Sequence, residues 1–179
     1  MRRVILVLAM LAVIVLGYFA VQAIANHRAT PSQSVGDSCL VGTWVLQREQ
    51  GHYTTSTTRL NLTGLAGATL TITGTGAAVF DYDASAMEKG GGGGQAEQAV
   101  LRGTRKAQMH AKSGTLAISS VANDATWTVT LNGVVQAAVR PPDPNPGKAG
   151  YSCSQSRLQI DGQNTAGDFT YSDIYNRQP

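Results

Sequence analysis

The sequence predicts one all-β domain of about eight to ten antiparallel strands behind a single N-terminal apolar helix. Three observations support this fold class. The long uninterrupted apolar stretch lies within the first 25 residues, period-two alternation between short turn signals dominates the remainder, and Cys39 and Cys153 lie near the two ends of that remainder. With 179 residues and 42% hydrophobic composition, the chain can build one core but hardly two.

The N-terminus has the features of an export segment. Arg2 and Arg3 precede residues 4–21, which contain no charged or amide side chain. This run exceeds the roughly 7–15 apolar residues of a cleaved signal and reaches the roughly 18–20 that span a bilayer. We therefore expect residues 1–25 to be a membrane anchor or signal sequence, with the C-terminal domain outside the cytoplasm because the positive charge is concentrated before the run.

Cleavage is the alternative to anchoring. Ala23-Ile24-Ala25 fits the small-x-small pattern that a signal peptidase recognises, so the domain would then be secreted. In both cases residues 26–38, which are polar and include Pro31 and Gly36, predict a stalk before a domain at residues 39–179.

The positive net charge belongs to the membrane segment. The chain has 14 Lys+Arg and 11 Asp+Glu, and setting aside Arg2, Arg3 and Arg28 leaves 11 against 11. A neutral domain has no general attraction for phosphate, so we expect no nucleic acid partner. One basic segment remains, and we interpret it as a solvated strand face: Arg102, Arg105, Lys106, His110 and Lys112.

Cys39 and Cys153 are the two cysteines of the chain. In an exported protein, two cysteines separated by more than a hundred residues favour a structural disulfide over a metal site or a redox motif. Such a bond would fasten the first strand to the closing strands and contribute about 4–5 kcal/mol through loop closure.

The clearest strands form a hairpin. Leu70 and Ile72 alternate with threonines up to the turn at residues 74–76, and Phe80 and Tyr82 alternate beyond it. This pattern predicts two strands with one buried face. The five glycines at 90–94 lack the context of a phosphate-binding motif and are interpreted as a flexible loop.

The remaining elements follow at short spacing. Asn132-Gly133 predicts a tight hairpin turn, and the proline-rich residues 141–147 predict an exposed connection. The other strands are expected at residues 43–50, 98–102, 104–111, 115–121, 126–131, 134–140, 151–154, 157–160 and 168–177.

Gly42-Thr43-Trp44, on the first strand, resembles the G-x-W motif of lipocalins and related calycin barrels. In that superfamily the Trp packs near the barrel floor against an Arg or Lys of the last strand, a position that Arg177 matches here. The resemblance covers residues 39–177 and is closest to the small lipocalin-like domains of exported bacterial proteins. It implies one antiparallel β-barrel with a pocket for a small apolar ligand.

Two functions follow from this architecture. An eight-stranded barrel can hold one small ligand. In that case the protein is a ligand-binding module for a small apolar molecule such as a lipid. If the sheets instead collapse face to face, the protein is a non-catalytic cell-envelope structural or protein-interaction module with a filled core. The inward residues expected to line the pocket are Leu70, Ile72, Phe80, Tyr82, Trp127, Val129, Leu131, Phe169 and Tyr171.

We expect no catalytic residue, metal or cofactor. His52 and His110 are the histidines of the exported part, and neither accompanies a G-x-S-x-G motif. Neither has a second ligand at the spacing typical of a metal site. The sequence therefore favours binding over catalysis.

Overall fold

A computed structural model describes residues 34–54, 59–92, 95–135, 148–163 and 169–179. Contacts divide the chain after Ser32, and the described residues belong to the second unit, Gln33–Pro179. The expected anchor at residues 1–25 and most of the expected stalk lie outside the described residues. Within the described ranges, no helix has the length and apolar character needed to cross a membrane.

The described chain is almost entirely β. One 3-10 helix, Ser38–Leu40, precedes the strands. The strands are β1 Gly42–Thr54, β2 Arg59–Gly64, β3 Thr69–Ile72, β4 Ala77–Asp81, β5 Glu88–Gly92, β6 Gln95–Arg102, β7 Thr104–Lys112, β8 Thr115–Asn123, β9 Thr126–Leu131, β10 Val134–Val135, β11 Lys148–Cys153, β12 Arg157–Gln163 and β13 Phe169–Arg177.

Eight of these strands close into a barrel. Hydrogen-bonded neighbours run β1-β13-β12-β11-β8-β7-β4-β3, and β3 pairs back with β1. Every pairing in this ring is antiparallel. The predicted all-β, antiparallel fold class is therefore confirmed.

The other five strands extend the barrel wall. The first part of β1, residues 42–45, pairs with β3, whereas its second part, residues 49–54, pairs with β2. Strands β2 and β3 thus occupy successive halves of one strand position. The pairs β4 with β5, β6 with β7, and β8 with β9 share positions in the same way, while β10 pairs with β9. The chain is an up-and-down meander around eight strand positions.

One end of the barrel is held by the Cys39–Cys153 disulfide, which confirms the predicted bond. We call it the disulfide end. It contains the 3-10 helix and the turns at residues 73–76, 113–114 and 154–156. The opposite end, where β1, β5 and β9 finish, is called the far end.

The folded domain begins before Cys39. Val35, in the expected stalk, is buried in the core, and its backbone exchanges hydrogen bonds with Gly74 and Ala111. Leu40 follows it into the core from the 3-10 helix. These two side chains close the disulfide end from below.

The disulfide end is filled by apolar side chains. The largest completely buried residues come from the 3-10 helix and five different strands, which is typical of a packed barrel core. They are Leu40, Trp44, Leu70, Ile72, Met109, Leu116, Leu158 and Ile160.

Two turn or loop predictions had different outcomes. Asn132 and Gly133 have φ of 49° and 83° and connect β9 to β10, as predicted. The prediction of a flexible loop at the five glycines was wrong for residues 90–92, because these residues belong to β5. A Cβ on Gly90 would collide with Leu62, so the missing side chain lets β5 lie against β2. Residues 93–94 lie outside the described ranges.

We expect the disulfide to stabilise the full-length chain by about 4–5 kcal/mol, because its sulfurs join residues 114 positions apart. The free energy of unfolding in urea should be lower by that amount in the Cys39→Ser, Cys153→Ser double variant than in the oxidised, unmodified chain. Adding reductant to the unmodified chain should lower its unfolding free energy by the same amount. The variant itself should not respond to reductant. Equal unfolding free energies for the oxidised protein and the double variant would contradict the expectation.

Candidate ligand site in the barrel interior

The floor of the barrel is formed by Trp44 and Arg177. The guanidinium carbon of Arg177 lies 4.1 Å from the centroid of the Trp44 ring. The Arg177 side chain also donates hydrogen bonds to the carbonyls of Cys39, Val41 and Gln155 at 2.6–2.7 Å. The indole Nε1 of Trp44 donates to the carbonyl of Leu40 at 2.9 Å. The last strand, the first strand and the 3-10 helix therefore meet at one cation.

Three of the expected pocket residues belong to the packed core. Leu70 and Ile72 are fully buried, and Phe80 is nearly so. All three are part of the apolar cluster of the disulfide end. They form the upper surface of the filled half rather than an accessible lining.

The other expected residues lie toward the far end. Tyr82, Trp127 and Tyr171 pack on the core cluster from above and are only half-buried. Val129 lies on the same strand face as Trp127 and is also half-buried. Leu131 lies two residues beyond Val129 on the same face of the β9 backbone.

Glycines provide space for two aromatic rings here. Phe169 stacks on Tyr171 with ring centroids 6.0 Å apart. A Cβ on Gly51 would lie 2.8 Å from Cε2 of Phe169, and a Cβ on Gly162 would collide with the Tyr171 ring. In this half the inward side chains of Trp127, Val129 and Tyr171 are only half-buried, whereas the disulfide end is filled by completely buried side chains.

Two carboxylates face each other inside this half. Asp173 alternates in step with Tyr171 and Tyr175, so it points inward, and Glu49 is its direct partner on β1. The register between β1 and β13 shifts between Leu46 and Arg48. This irregularity moves the inward phase of β1 by one residue, so that Glu49 follows Leu46 into the interior.

Glu88 and Arg105 complete the cluster. Only 3% of the Glu88 surface is exposed. The guanidinium carbon of Arg105 lies 4.5 Å from the Phe80 ring centroid. The interpretation of the basic segment as a solvated strand face was therefore wrong for Arg105. Arg105 alternates in step with the buried Ala107, Met109 and Ala111, so it points inward with them.

We call Glu49, Glu88, Arg105, Tyr171 and Asp173 the polar belt. Burial raises the pKa of Glu88 to about 7, with a further contribution from Glu97. Burial also raises the pKa of Asp173 to about 7, although the Tyr175 hydroxyl donates to its Oδ2 at 3.1 Å.

The pKa values of Glu49 and Tyr171 shift in the same direction. Burial, followed by the negative charges of Asp173 and Glu88, raises the pKa of Glu49 well above its ordinary value. Burial and Asp173 raise the pKa of Tyr171 to about 12. The belt is therefore a site where negative charge is concentrated and poorly solvated.

Three buried polar atoms in this region have no hydrogen-bond partner among the described residues. They are Nε of Arg105, Nε1 of Trp127 and Oδ1 of Asp173. Buried polar atoms are normally paired with protein, ordered water or ligand. Two unused donors and one unused acceptor in the same half of the barrel identify a place where a polar molecule can be held.

Across the described part of the chain, no group of three or more His, Cys, Asp or Glu side chains is arranged to hold a metal ion. His52 is hydrogen-bonded to Asn61, and the ring of His110 lies 3.2 Å from the Ser34 carbonyl oxygen. Both histidines are exposed and lie away from the belt.

Comparison with protein-family models, with curated proteins and with solved structures finds no match to this chain. The geometry nevertheless defines a class of protein. It is a closed eight-stranded antiparallel barrel, compatible with a lipocalin-like fold, with an apolar, filled half and a half whose interior also contains charged side chains.

We expect Arg177→Leu to lower the free energy of unfolding by about 2–4 kcal/mol, because three carbonyls lose a charged donor and Trp44 loses its cation. Urea unfolding of the full-length chain measures this change. Arg157→Leu, on the exposed side of β12, is the matched control and should change it by no more than about 0.5 kcal/mol. Equal effects of the two substitutions would show that Arg177 does not organise the floor.

The belt should also make stability depend on pH. Asp173 has an ordinary pKa near 3.8 and a folded pKa of about 7, so between these values the folded state holds a proton that the unfolded state releases. The free energy of unfolding should therefore fall as pH rises from about 4 to about 7, by at most about 1.4 kcal/mol per pH unit for one carboxyl group.

Asp173→Asn removes this titration and should flatten the profile, with Glu49 and Glu88 supplying what remains. Asp124→Asn, at an exposed carboxylate between β8 and β9, should leave the profile unchanged. Thermal or urea unfolding between pH 4 and pH 8 measures both. Parallel profiles for Asp173→Asn and the unmodified chain would refute the assignment.

Proposed function

We propose that this protein is an extracytoplasmic, non-catalytic lipocalin-like module that binds a small, largely apolar molecule in the far-end interior. The observation that supports it best is the half-buried state of Tyr82, Trp127, Phe169 and Tyr171 above a filled core. Ligand sites are typically concave and apolar, with a few polar groups that orient the ligand. The far-end interior has this composition.

The barrel size supports the same function. A closed barrel of eight strands is wide enough either to be filled by side chains or to hold one small ligand. In this barrel one half is filled by side chains, among them Trp44, Leu70 and Ile72. In the other half the aromatic side chains are only half-buried, which leaves them available to a ligand. A molecule entering from the far end would rest on Phe80 and Tyr82, whose rings stack 6.4 Å apart.

We expect this module to lie at the cell membrane. Residues 1–25 would cross the membrane once and hold the barrel outside the cytoplasm, or they would be removed to release it. The disulfide supports a location of the domain in an oxidising compartment, because disulfides are rare in reducing compartments.

A second candidate function is a non-catalytic cell-envelope structural or protein-interaction module. The observation that favours it is a set of apolar side chains on the outer surface, since Val121, Val134 and Val135 are 64–69% exposed. Under this function the interior serves stability, and a protein partner binds the outside of β8 and β10.

Val129→Trp distinguishes the two functions because it fills the far-end interior without touching the outer surface. The uncharged fluorophore N-phenyl-1-naphthylamine should become brighter on binding the full-length chain. Its apparent affinity should fall about tenfold or more in Val129→Trp, as expected for the loss of apolar contact area. Val121→Trp, at an exposed position of the neighbouring strand β8, is the matched control and should bind normally.

A second measurement covers a ligand already bound in the purified protein. Solvent extraction followed by mass spectrometry should recover a molecule from the unmodified chain and from Val121→Trp, and less from Val129→Trp. If the fluorophore does not bind and extraction recovers nothing, the module function with a filled interior replaces ligand binding.

A further inference from the structure

The far-end interior has an excess of acidic groups. The polar belt contains the carboxyl groups of Glu49, Glu88 and Asp173 and one guanidinium, that of Arg105. No ion pair joins the belt carboxylates to Arg105 within the described residues. The guanidinium instead lies over the Phe80 ring, where the aromatic face already supports its charge.

The strongest unbalanced charge lies between β1 and β13. Glu49 and Asp173 are direct cross-strand partners, and both point inward. Directly opposed side chains have Cβ atoms about 4.5–5.5 Å apart, and like charges in such pairs are destabilising. A cation placed between them would remove the repulsion and replace lost solvation.

Unpaired polar atoms show that this region lacks a partner. Oδ1 of Asp173 is buried and accepts no hydrogen bond from the described residues. Glu88 is also buried, with 3% of its surface exposed. The negative charge of Asp173 contributes to the raised pKa of Glu88, so both carboxyl groups face the same interior.

Aromatic rings share this half of the barrel with the carboxylates. Tyr171 and Phe169 stack on β13, the strand of Asp173, while Trp127 on β9 and Tyr82 after β4 pack on the core. Carboxylates combined with aromatic faces are the features that recognise an organic ammonium group, through charge-assisted hydrogen bonds and cation–π contacts.

We infer that the far-end interior binds an amphiphile with an ammonium head, which is held between Glu49 and Asp173 while its apolar chain lies along Trp127, Val129 and Phe169. This inference rests on the proposed ligand-binding function and names its ligand class. An anionic head is disfavoured, because it would have to be desolvated beside three carboxyl groups to reach the one guanidinium.

Three probes with the same tail test the inference. Dodecylamine, dodecanol and dodecanoate are titrated separately into the full-length chain, the two ionic probes below their critical micelle concentrations and the alcohol below its solubility limit. Displacement of N-phenyl-1-naphthylamine is measured. At pH 8 the amine is protonated, and Glu88 and Asp173, whose pKa values are about 7, are mostly ionised. We expect the amine to bind about tenfold or more tightly than the alcohol, and the carboxylate to bind most weakly.

Neutral substitutions assign the preference to the pair. Glu49→Gln and Asp173→Asn should each reduce amine affinity about tenfold while leaving dodecanol affinity unchanged, which also shows that the variants remain folded. Asp124→Asn, at an exposed carboxylate outside the barrel interior, should retain the full preference for the amine.

The outcomes separate the inference from the proposed function. Equal binding of the three probes, or tightest binding of dodecanoate, would overturn the ammonium assignment and leave the ligand pocket intact. An amine preference that persists in both Glu49→Gln and Asp173→Asn would also overturn it. Failure of every probe to displace the fluorophore, in a chain that does not bind the fluorophore either, would refute both proposals.

Discussion

Closure of the sheet at β1 is the constraint on which the rest of this structure depends. One strand must pair with β13 along its length and with β3 and β2 in succession on its other side. Arg177 fixes the closure where it begins, since its guanidinium bonds three carbonyls and covers Trp44. The disulfide acts at the same end, so the covalent and non-covalent restraints are concentrated in the half of the barrel that is filled.

This arrangement separates stability from binding along the barrel axis. The disulfide end has apolar packing, a cation–π contact and a covalent bond, each of which stabilises the folded state. The far end has Glu49 opposite Asp173 and buried atoms without partners, which oppose folding unless water or a ligand satisfies them. A barrel can retain such a costly interior only because its other half supplies the stability.

Period-two alternation determined how much the sequence could predict. Leu70, Ile72, Trp127 and Val129 lie on unbroken strands, and their inward direction follows from the pattern alone. Asp173 was missed for a different reason. Alternation from Tyr171 would have placed Asp173 inside, but a lone carboxylate among aromatics does not predict burial without knowledge of its cross-strand partner.

A register shift hid Glu49. A strand that slips by one residue exchanges its inward and outward faces, and no residue type marks the slip at Leu46–Arg48. Glu49 owes its inward direction to this irregularity, whereas Arg105 alternates in step with the buried Ala107 and Met109, so the pattern of β7 alone would have placed it inside. A regular β1 would place the Glu49 carboxyl group in solvent at no cost. The slip instead brings it opposite Asp173 inside the barrel, at a cost that the packing of the filled half must offset.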